Sequence, residues 1–255
     1  MHGSALTKVT FEEGSALTKI PNQCFQYDQY LETVTIPEGV TEIGERAFEG
    51  CKPLTGITLP DSLKKIGAQA FRDCSSIKKL NIPAEIIGDR AFMGCYGVTE
   101  LSFPNVKTIG HHAFFNVGSP MNEAFPSITL PATLTDVQED SFSQFRYGSV
   151  QVAEGNPVLT VTGPVIYRKN SDNGKTLLQY SSYSGVSEIT IDSDTTRISD
   201  EAFMTDNTEL KLFTIPDTVT EIGDKAFCQA FSSEVTSFVI PDSVTSLGKE
   251  AFAKN

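Results

Sequence analysis

The sequence has no tryptophan, only three histidines and no apolar run long enough to cross a membrane. A transmembrane helix needs about 18 or more consecutive apolar residues, and the apolar stretches here are far shorter. Basic residues are scarce too, since 20 Lys and Arg stand against 32 Asp and Glu, for a formal net charge of −12. This balance argues against a surface for nucleic acid or for anionic membranes, because both attract positive charge.

Cysteine is present, but it is not arranged as in a zinc site. The five residues are Cys24, Cys51, Cys74, Cys95 and Cys228. They contain no Cys-x-x-Cys pair, and the three histidines offer no spacing typical of zinc ligands. We predict that Cys51, Cys74 and Cys95 are free, buried thiols, with a disulfide between neighbouring coils or a metal site as the alternatives. No metal or cofactor is predicted.

Catalytic signatures are missing as well. The sequence has no G-x-S-x-G, P-loop, G-x-G-x-x-G or H-E-x-x-H motif, so we predict that the protein is not an enzyme. His111 and His112 occupy a variable position that we expect to face solvent as a hydrated pair. Asp192 and Asp194 form a D-x-D pair that lacks the further oxygen ligands a calcium site needs.

What the sequence does contain is a repeat. A small residue or Cys followed by Phe recurs with the Phe at 25, 48, 71, 92, 114, 142, 203, 227 and 252, so that nine of the 17 Phe share one phase. The spacings are 23, 23, 21, 22, 28, 61, 24 and 25 residues. A period of this length indicates stacked supersecondary units, because a single unit is too small to enclose a core of its own.

The unit at residues 31–51 shows what one repeat contains. Val34 and Ile36 flank one polar residue, which is the period of a short strand with one buried face. Pro37 ends that strand because it has no backbone N–H for a ladder hydrogen bond. Gly44 is predicted to allow a bend that a Cβ would penalise. One or two helical turns are predicted next, with an inward stripe at Ile43, Ala47, Phe48 and Cys51.

The fold predicted from these units is an α/β solenoid, an arc of about ten short parallel strands with short helical turns in each repeat. The predicted strands are 9–11, 34–36, 57–59, 80–82, 101–103, 128–130, 150–152, 189–191, 213–215 and 238–240. We predict a single domain over residues 5–255. Residues 1–4 resemble the remnant of an expression tag, and we expect a leader to have been removed.

One interval is about 38 residues longer than a repeat and carries a different pattern. Strands are predicted at 158–162, 165–169 and 176–180, with a tight turn at residues 172–174. We predict a β-hairpin or small meander at about 156–187 that replaces one helical-turn segment. Its three tyrosines, Tyr167, Tyr180 and Tyr183, either cover the apolar side of the hairpin or, with Arg168, act as binding anchors.

The repeat frame resembles the BspA-type leucine-rich repeats. The residues that carry the resemblance read L-x-x-I-x-I-P and then V-x-x-I-G-x-x-A-F-x-x-C, as in 31–51 and 54–74, and the likeness extends from about Leu6 to Phe252. The insert also matches a form found in that family through Asn156, Pro157, Gly163 and Tyr167, although Pro164 departs from it. The resemblance implies an extracellular or cell-surface leucine-rich-repeat solenoid of bacterial type, used for adhesion or ligand capture.

The candidate binding residues are the outward-facing strand positions and the polar or aromatic residues of the insert. They are Thr35, Thr58, Asn81, Ser102, Thr129, Gln151, Thr190, Tyr167, Arg168 and Tyr180. Strand propensity alone would also account for the threonines. The predicted function is a non-enzymatic surface or secreted module that presents a curved repeat surface to a host or bacterial protein or glycan. The alternative is a structural spacer or stalk within a larger surface protein.

Overall fold

The computed structural model describes residues 5–118, 127–181, 184–204 and 210–255. The residues 1–4 that resemble a tag, Tyr183 and most of the long loop after Asn116 lie outside these ranges. The described residues form nineteen β-strands and no α-helix, so the prediction of helical turns is wrong. The solenoid of parallel strands is confirmed.

A first column of strands runs along the solenoid, one strand per coil. Its members are β1 (Lys8–Val9), β3 (Thr33–Thr35), β5 (Gly56–Thr58), β7 (Lys79–Asn81), β9 (Glu100–Ser102), β11 (Ser127–Leu130) and β13 (Ser149–Val152). They pair in parallel as β1-β3-β5, β7-β9 and β11-β13. The three predicted strands beyond residue 187 do not form as strands, and that part of the described chain shows two isolated parallel bridges instead, Glu188 with Leu212 and Leu210 with Phe231.

A second column of parallel strands was not predicted. It contains β2 (Lys19–Ile20), β4 (Glu42–Ile43), β6 (Lys65–Ile66), β8 (Ile86–Ile87), β10 (Thr108–Ile109) and β12 (Asp136–Val137), which form one six-stranded sheet in that order. After the insert it resumes with β17 (Thr195–Ile198), β18 (Glu221–Ile222) and β19 (Ser246–Leu247). Each of these strands ends in Ile, Val or Leu, and in β4 this residue is Ile43, which the sequence placed at the start of a helical turn.

The turn segment is not helical because half of its backbone donors bind the next coil. The N–H groups of Arg46, Phe48 and Gly50 donate to carbonyls of the following coil at 2.8–2.9 Å. Those of the two residues between them donate to the carbonyl three residues back at 3.2–3.3 Å. Arg46 and Gly50 both have positive φ, at 55° and 73°. An α-helix would need one uniform right-handed conformation and would satisfy these donors internally.

The repeated glycine before the turn serves close packing between coils. A Cβ added to Gly67 would lie 2.8 Å from the carbonyl carbon of Gly44, and a Cβ on Gly44 would lie 2.6 Å from the backbone nitrogen of Asn22. Neither glycine has a positive φ. The predicted role of Gly44 in a bend is therefore wrong, because the glycine is required by the approach of the neighbouring backbone.

The interior of the solenoid holds a stack of phenylalanine rings, as predicted. Rings in successive coils lie nearly parallel with centroids 5.1–6.0 Å apart, in the order Phe25, Phe48, Phe71, Phe92, Phe114 and Phe142. All except Phe25 are fully buried. One ring per coil thus fills the interior and packs against the rings of the neighbouring coils. This stack is called here the ring column, and its members the column Phe residues.

The insert forms the three strands predicted for it. They are β14 (Leu159–Thr162), β15 (Val165–Lys169) and β16 (Lys175–Tyr180), which pair antiparallel in that order. Strand β16 then pairs in parallel with β17, so the insert is joined to the second column of the later coils.

Both faces of this three-stranded sheet are buried, each against a different apolar cluster. Ile166 and Leu178 belong to the cluster of the earlier coils, here called the N-terminal core, which extends from Ile20 to Leu178. Val165, Tyr167 and Leu177 belong to the cluster of the later coils, the C-terminal core, which extends to Ala251. Side chains of a strand point alternately to opposite faces, so neighbouring residues of a strand pack into different cores.

Candidate functional site

The outward positions of the first strand column form an exposed polar surface, called here the polar face. Its members are Thr35, Thr58, Asn81, Ser102, Thr129 and Gln151, and all six side chains are exposed. Parallel pairing places Thr35 beside Thr58, Asn81 beside Ser102 and Thr129 beside Gln151. The Ser102 hydroxyl donates to Asn81 Oδ1 at 2.7 Å, so at least one pair is linked directly.

Thr190 is exposed as predicted, but strand pairing does not join it to the polar face. Among the described strands β13 pairs with β11 only, and the described segment around Thr190 has a single bridge, at Glu188. In the last coil the equivalent outward residue is Val239, which is 81% exposed. The regular part of the polar face therefore ends at Gln151, where the insert begins.

A groove of about 480 Å³ opens beside Gln151, between β13 and β14. Thr160 and Lys169 line it from the insert. The Lys169 ammonium donates to the carbonyl of Asn156 at 3.0 Å, which holds that side chain against the groove wall. The groove offers hydroxyl, amide and ammonium groups at the end of the polar face.

Asn156 fixes the position at which the insert leaves the solenoid. Its buried amide nitrogen donates to the carbonyls of Pro131 and Leu134 at 2.7 and 3.1 Å. Its side-chain oxygen accepts from the N–H groups of Val158 and Leu159 at 2.9 and 2.7 Å. Because all four bonds are buried or partly buried, Asn156 has a structural role where the insert leaves the solenoid.

The tyrosines predicted as binding anchors are buried. Tyr167 is 0% exposed and Tyr180 is 2% exposed, so neither ring is available to a partner. The Tyr167 hydroxyl accepts from the N–H of Asp192 at 3.2 Å, and burial raises the pKa of that phenol. Tyr180 stacks on Phe203 at 5.4 Å and so continues the ring column. These rings pack the C-terminal core, which is the structural alternative stated for them.

The Arg168 side chain is partly exposed, but it forms an ion pair within the protein. Its guanidinium pairs with Glu139, and Glu139 Oε2 also lies 3.0 Å from Arg197 Nε. Burial would lower the pKa of Arg197, but the charge of Glu139 and the bond to Glu221 outweigh this and raise it. Arg168 is therefore one member of an ionic network that joins a coil before the insert to the insert and to β17.

The two histidines differ, contrary to the prediction of a hydrated pair. His111 is exposed, with its Nδ1 2.9 Å from Asp140 Oδ1, whereas His112 is half-buried between Asp140 and Glu201. His112 Nδ1 lies 3.0 Å from Asp140 Oδ2, and its Nε2 lies 3.9 Å from Glu201 Oε2. The carboxylates of Asp140 and then Glu201, against the opposing effect of burial, raise the pKa of His112 to about 9. No group of three or more His, Cys, Asp and Glu suits a metal ion in the described ranges.

The cysteines of the repeat are free and buried, as predicted. Each of the three thiols Cys51, Cys74 and Cys95 donates to the carbonyl of a Phe in the preceding coil, at 2.9–3.1 Å. Burial raises the pKa of Cys51 to about 12 and that of Cys95 still further. These thiols are therefore poor nucleophiles, while Cys24 is exposed.

The sequence matches the profile of the BspA type leucine rich repeat region in six copies, over residues 18–147 and 178–255. The unmatched residues 148–177 coincide with most of the insert. No curated protein sequence matches the chain. In the described part of the chain, no helix is long and apolar enough to cross a membrane.

Three solved structures show the same fold. A leucine rich cell surface protein from Faecalibacterium prausnitzii A2-165 is 24% identical, with a TM-score of 0.67 over 97% of this chain and 77% of that one. A leucine-rich repeat protein from Eubacterium ventriosum ATCC 27560 is 24% identical, with a TM-score of 0.63 over 95% and 56%. The pneumococcal vaccine antigen PcpA is 22% identical, with a TM-score of 0.72 over 91% and 64%. The chain thus covers less than two thirds of the second and third structures.

Proposed function

The chain belongs to the BspA-type leucine-rich repeat family, and from this we propose that it is a non-enzymatic binding or adhesion module of a bacterial cell-surface or secreted protein. The name of one structural neighbour, a cell surface protein, supports the location. The family supports protein binding, and a glycan is the other class of partner that the polar surface could accept.

The observation that carries the proposal is the polar face. Its six side chains are exposed, and they recur once per coil on a backbone held by coil-to-coil hydrogen bonds. Strands in a sheet lie about 4.8 Å apart, so six coils present a polar surface of roughly 24 Å. Such a surface binds by many small contacts, each placed before the partner arrives, which reduces the entropy cost of binding.

The groove beside Gln151 gives this surface a distinct end. A partner lying along the polar face would meet Gln151, Thr160 and Lys169 there, and these supply an amide, a hydroxyl and an ammonium group. A row of small polar side chains such as the polar face gives little selectivity by itself. A concave groove with fixed polar groups at its end can orient a ligand. We therefore assign the selective contact to the groove and the extended contact to the polar face.

The experiment compares the double variant Thr58→Arg/Ser102→Arg with a matched control, Thr41→Arg. Thr41 is also an exposed threonine, but it lies next to β4 in the second column. Adhesion of the three proteins to immobilised extracellular-matrix proteins and mucin is measured, with a thermal melt of each. We expect the double variant to lose adhesion at an unchanged melting temperature, and the control to retain it. A wild-type protein that adheres to none of these surfaces would favour the spacer function.

A further inference from the structure

In most described coils two backbone positions have a left-handed conformation, one before and one after the column Phe, and in one coil the later position carries a tyrosine. The later position is the second residue after the column Phe, whose N–H donates to the next coil. It has φ of 59° at Tyr27, 73° at Gly50, 59° at Asp73 and 76° at Gly94. Gly, Asp and Asn tolerate this conformation best. Gln144, Gln229 and Lys254 also adopt it at this position, so the backbone conformation alone does not distinguish Tyr27.

Burial does not compensate for this unfavourable conformation at Tyr27, because the residue is 59% exposed. The ring lies against the backbone of the next coil, since a Cβ added to Gly50 would come within 2.3 Å of Tyr27 Cδ1. The glycine at position 50 therefore makes room for the ring. What distinguishes Tyr27 is an aromatic ring that is held against the neighbouring coil and yet remains exposed, which makes it available to a ligand.

The ring borders a groove of about 530 Å³ with mixed polar groups. Gln29, Lys52, Pro53 and Asp73 line it together with Tyr27 and Gly50. The amide, the ammonium and the carboxylate supply both hydrogen-bond donors and acceptors, and their charges sum to zero. One aromatic face beside such groups fits a sugar ring, whose C–H face packs on the aromatic ring while its hydroxyls bind the polar groups.

We propose that this groove is a saccharide subsite that takes a neutral pyranose, with Tyr27 as the stacking platform. A proline-rich peptide is less suited, because such ligands dock against several aligned aromatic rings and this groove has one. None of the residues of the polar face lines the groove, so this site and the polar face can succeed or fail independently.

The test is saturation-transfer NMR with the whole protein and three sugars, namely methyl β-galactopyranoside, methyl α-mannopyranoside and N-acetylglucosamine, each at about 10 mM to detect millimolar affinity. The variants are Tyr27→Gly and the control Tyr96→Ala, which removes another exposed tyrosine that does not line the groove. Because the sequence has no tryptophan, tyrosine fluorescence gives a second readout.

We expect transfer to at least one sugar in the wild type and in Tyr96→Ala, and its loss in Tyr27→Gly. The melting temperature of Tyr27→Gly should stay the same or rise, because glycine suits the left-handed φ. Asp73→Asn, which also tolerates that φ, should weaken binding several-fold. The proposal is overturned by an absence of transfer to all three sugars, by transfer that survives in Tyr27→Gly, by a lower melting temperature of that variant, or by binding of a proline-rich decapeptide instead.

Discussion

The N-terminal and C-terminal cores use the same repeat frame but pack it differently. Val34 and Ile57 occupy the inward strand position in the earlier coils, and there the first column forms paired strands. Phe213 and Phe238 occupy the same position in the later coils, where pairing is reduced to isolated bridges. These two rings cluster with Phe231, with centroids 5.2–5.7 Å apart. The later coils therefore keep a packed core although their first column is reduced to isolated bridges.

Between the two cores stand the insert and a layer of polar contacts. Glu139 pairs with Arg168 and Arg197, and His112 lies between Asp140 and Glu201. Whether the cores unfold together is thus a direct test of the prediction that residues 5–255 form a single domain. Four measurements test or sharpen the comparison of the two cores.

The largest effect is expected from removing a stacked ring in either core. Phe71 lies 5.2 and 5.4 Å from its two neighbours, and Phe227 lies 4.5 and 5.2 Å from its own. Phe71→Ala and Phe227→Ala should each lower the free energy of unfolding by about 3–5 kcal/mol, since both leave a cavity in a packed core. Urea denaturation measures this loss.

The control for the ring variants is Tyr96→Ala, an exposed position at which we expect a change within about 0.5 kcal/mol. One shared transition in both ring variants would support a single cooperative domain. Two separated transitions would contradict that prediction. Unchanged stability in Phe71→Ala would contradict the interior ring column itself.

The second-largest loss of stability is expected from variants that alter one face of the insert at a time. Ile166→Ala should destabilise the N-terminal core and Leu177→Ala the C-terminal core, each by about 2–4 kcal/mol, because the two side chains point to opposite faces. Native-state hydrogen exchange, read amide by amide, shows which core loses protection. Loss of protection confined to the same core in both variants would contradict a sheet that divides the two.

A smaller, pH-dependent change in the free energy of unfolding is expected from His112, which lies between Asp140 and Glu201. The folded-state pKa of His112 is raised to about 9, so its contribution to stability is complete below the unfolded pKa near 6.5 and is lost as pH rises through 9. The loss should be about 1–2 kcal/mol, less than the full linkage value because the ring is partly exposed.

Unfolding free energies measured between pH 6 and 10 test this contribution of His112. His112→Gln should remove the slope. His111→Gln, which removes the other imidazole beside Asp140 but leaves His112 in place, should keep it. A slope that persists in His112→Gln would assign the pH dependence to another group.

The last measurement carries no expected change in stability. In the native protein a thiol reagent should modify Cys24 quickly and the four buried cysteines slowly, because burial raises the pKa of thiols such as Cys51. Denatured, unreduced protein should show all five thiols. A count below five would mean that a disulfide forms.

The repeat frame made several features predictable. Inward positions recur at the repeat period and differ in hydropathy from their neighbours, which identified the ring column and the buried thiols. Tight-turn residues and alternating apolar residues likewise identified β14, β15 and β16. The exposure of the polar face follows from the same alternation, since Thr35 lies between the buried Val34 and Ile36.

Other features depend on contacts between coils. Ile43 and Phe48 have a spacing that fits a helical turn, yet the N–H of Phe48 donates to Ala70 in the next coil. Local spacing does not reveal such a partner. Likewise Tyr167 and Arg168 look alike as binding anchors, but the first is buried in one core and the second pairs with Glu139.

The inward-facing side chains could be identified from the amino-acid pattern, because apolar residues recur at positions that only burial explains. The tertiary structure decided how the backbone between them is bonded, and it placed Arg46 and its equivalents in a left-handed conformation instead of a helix. It also gave the insert two buried faces and placed His112 between two carboxylates. The physical reason is that hydropathy belongs to each residue, whereas hydrogen-bond and charge partners are supplied by coils that lie far apart in the chain.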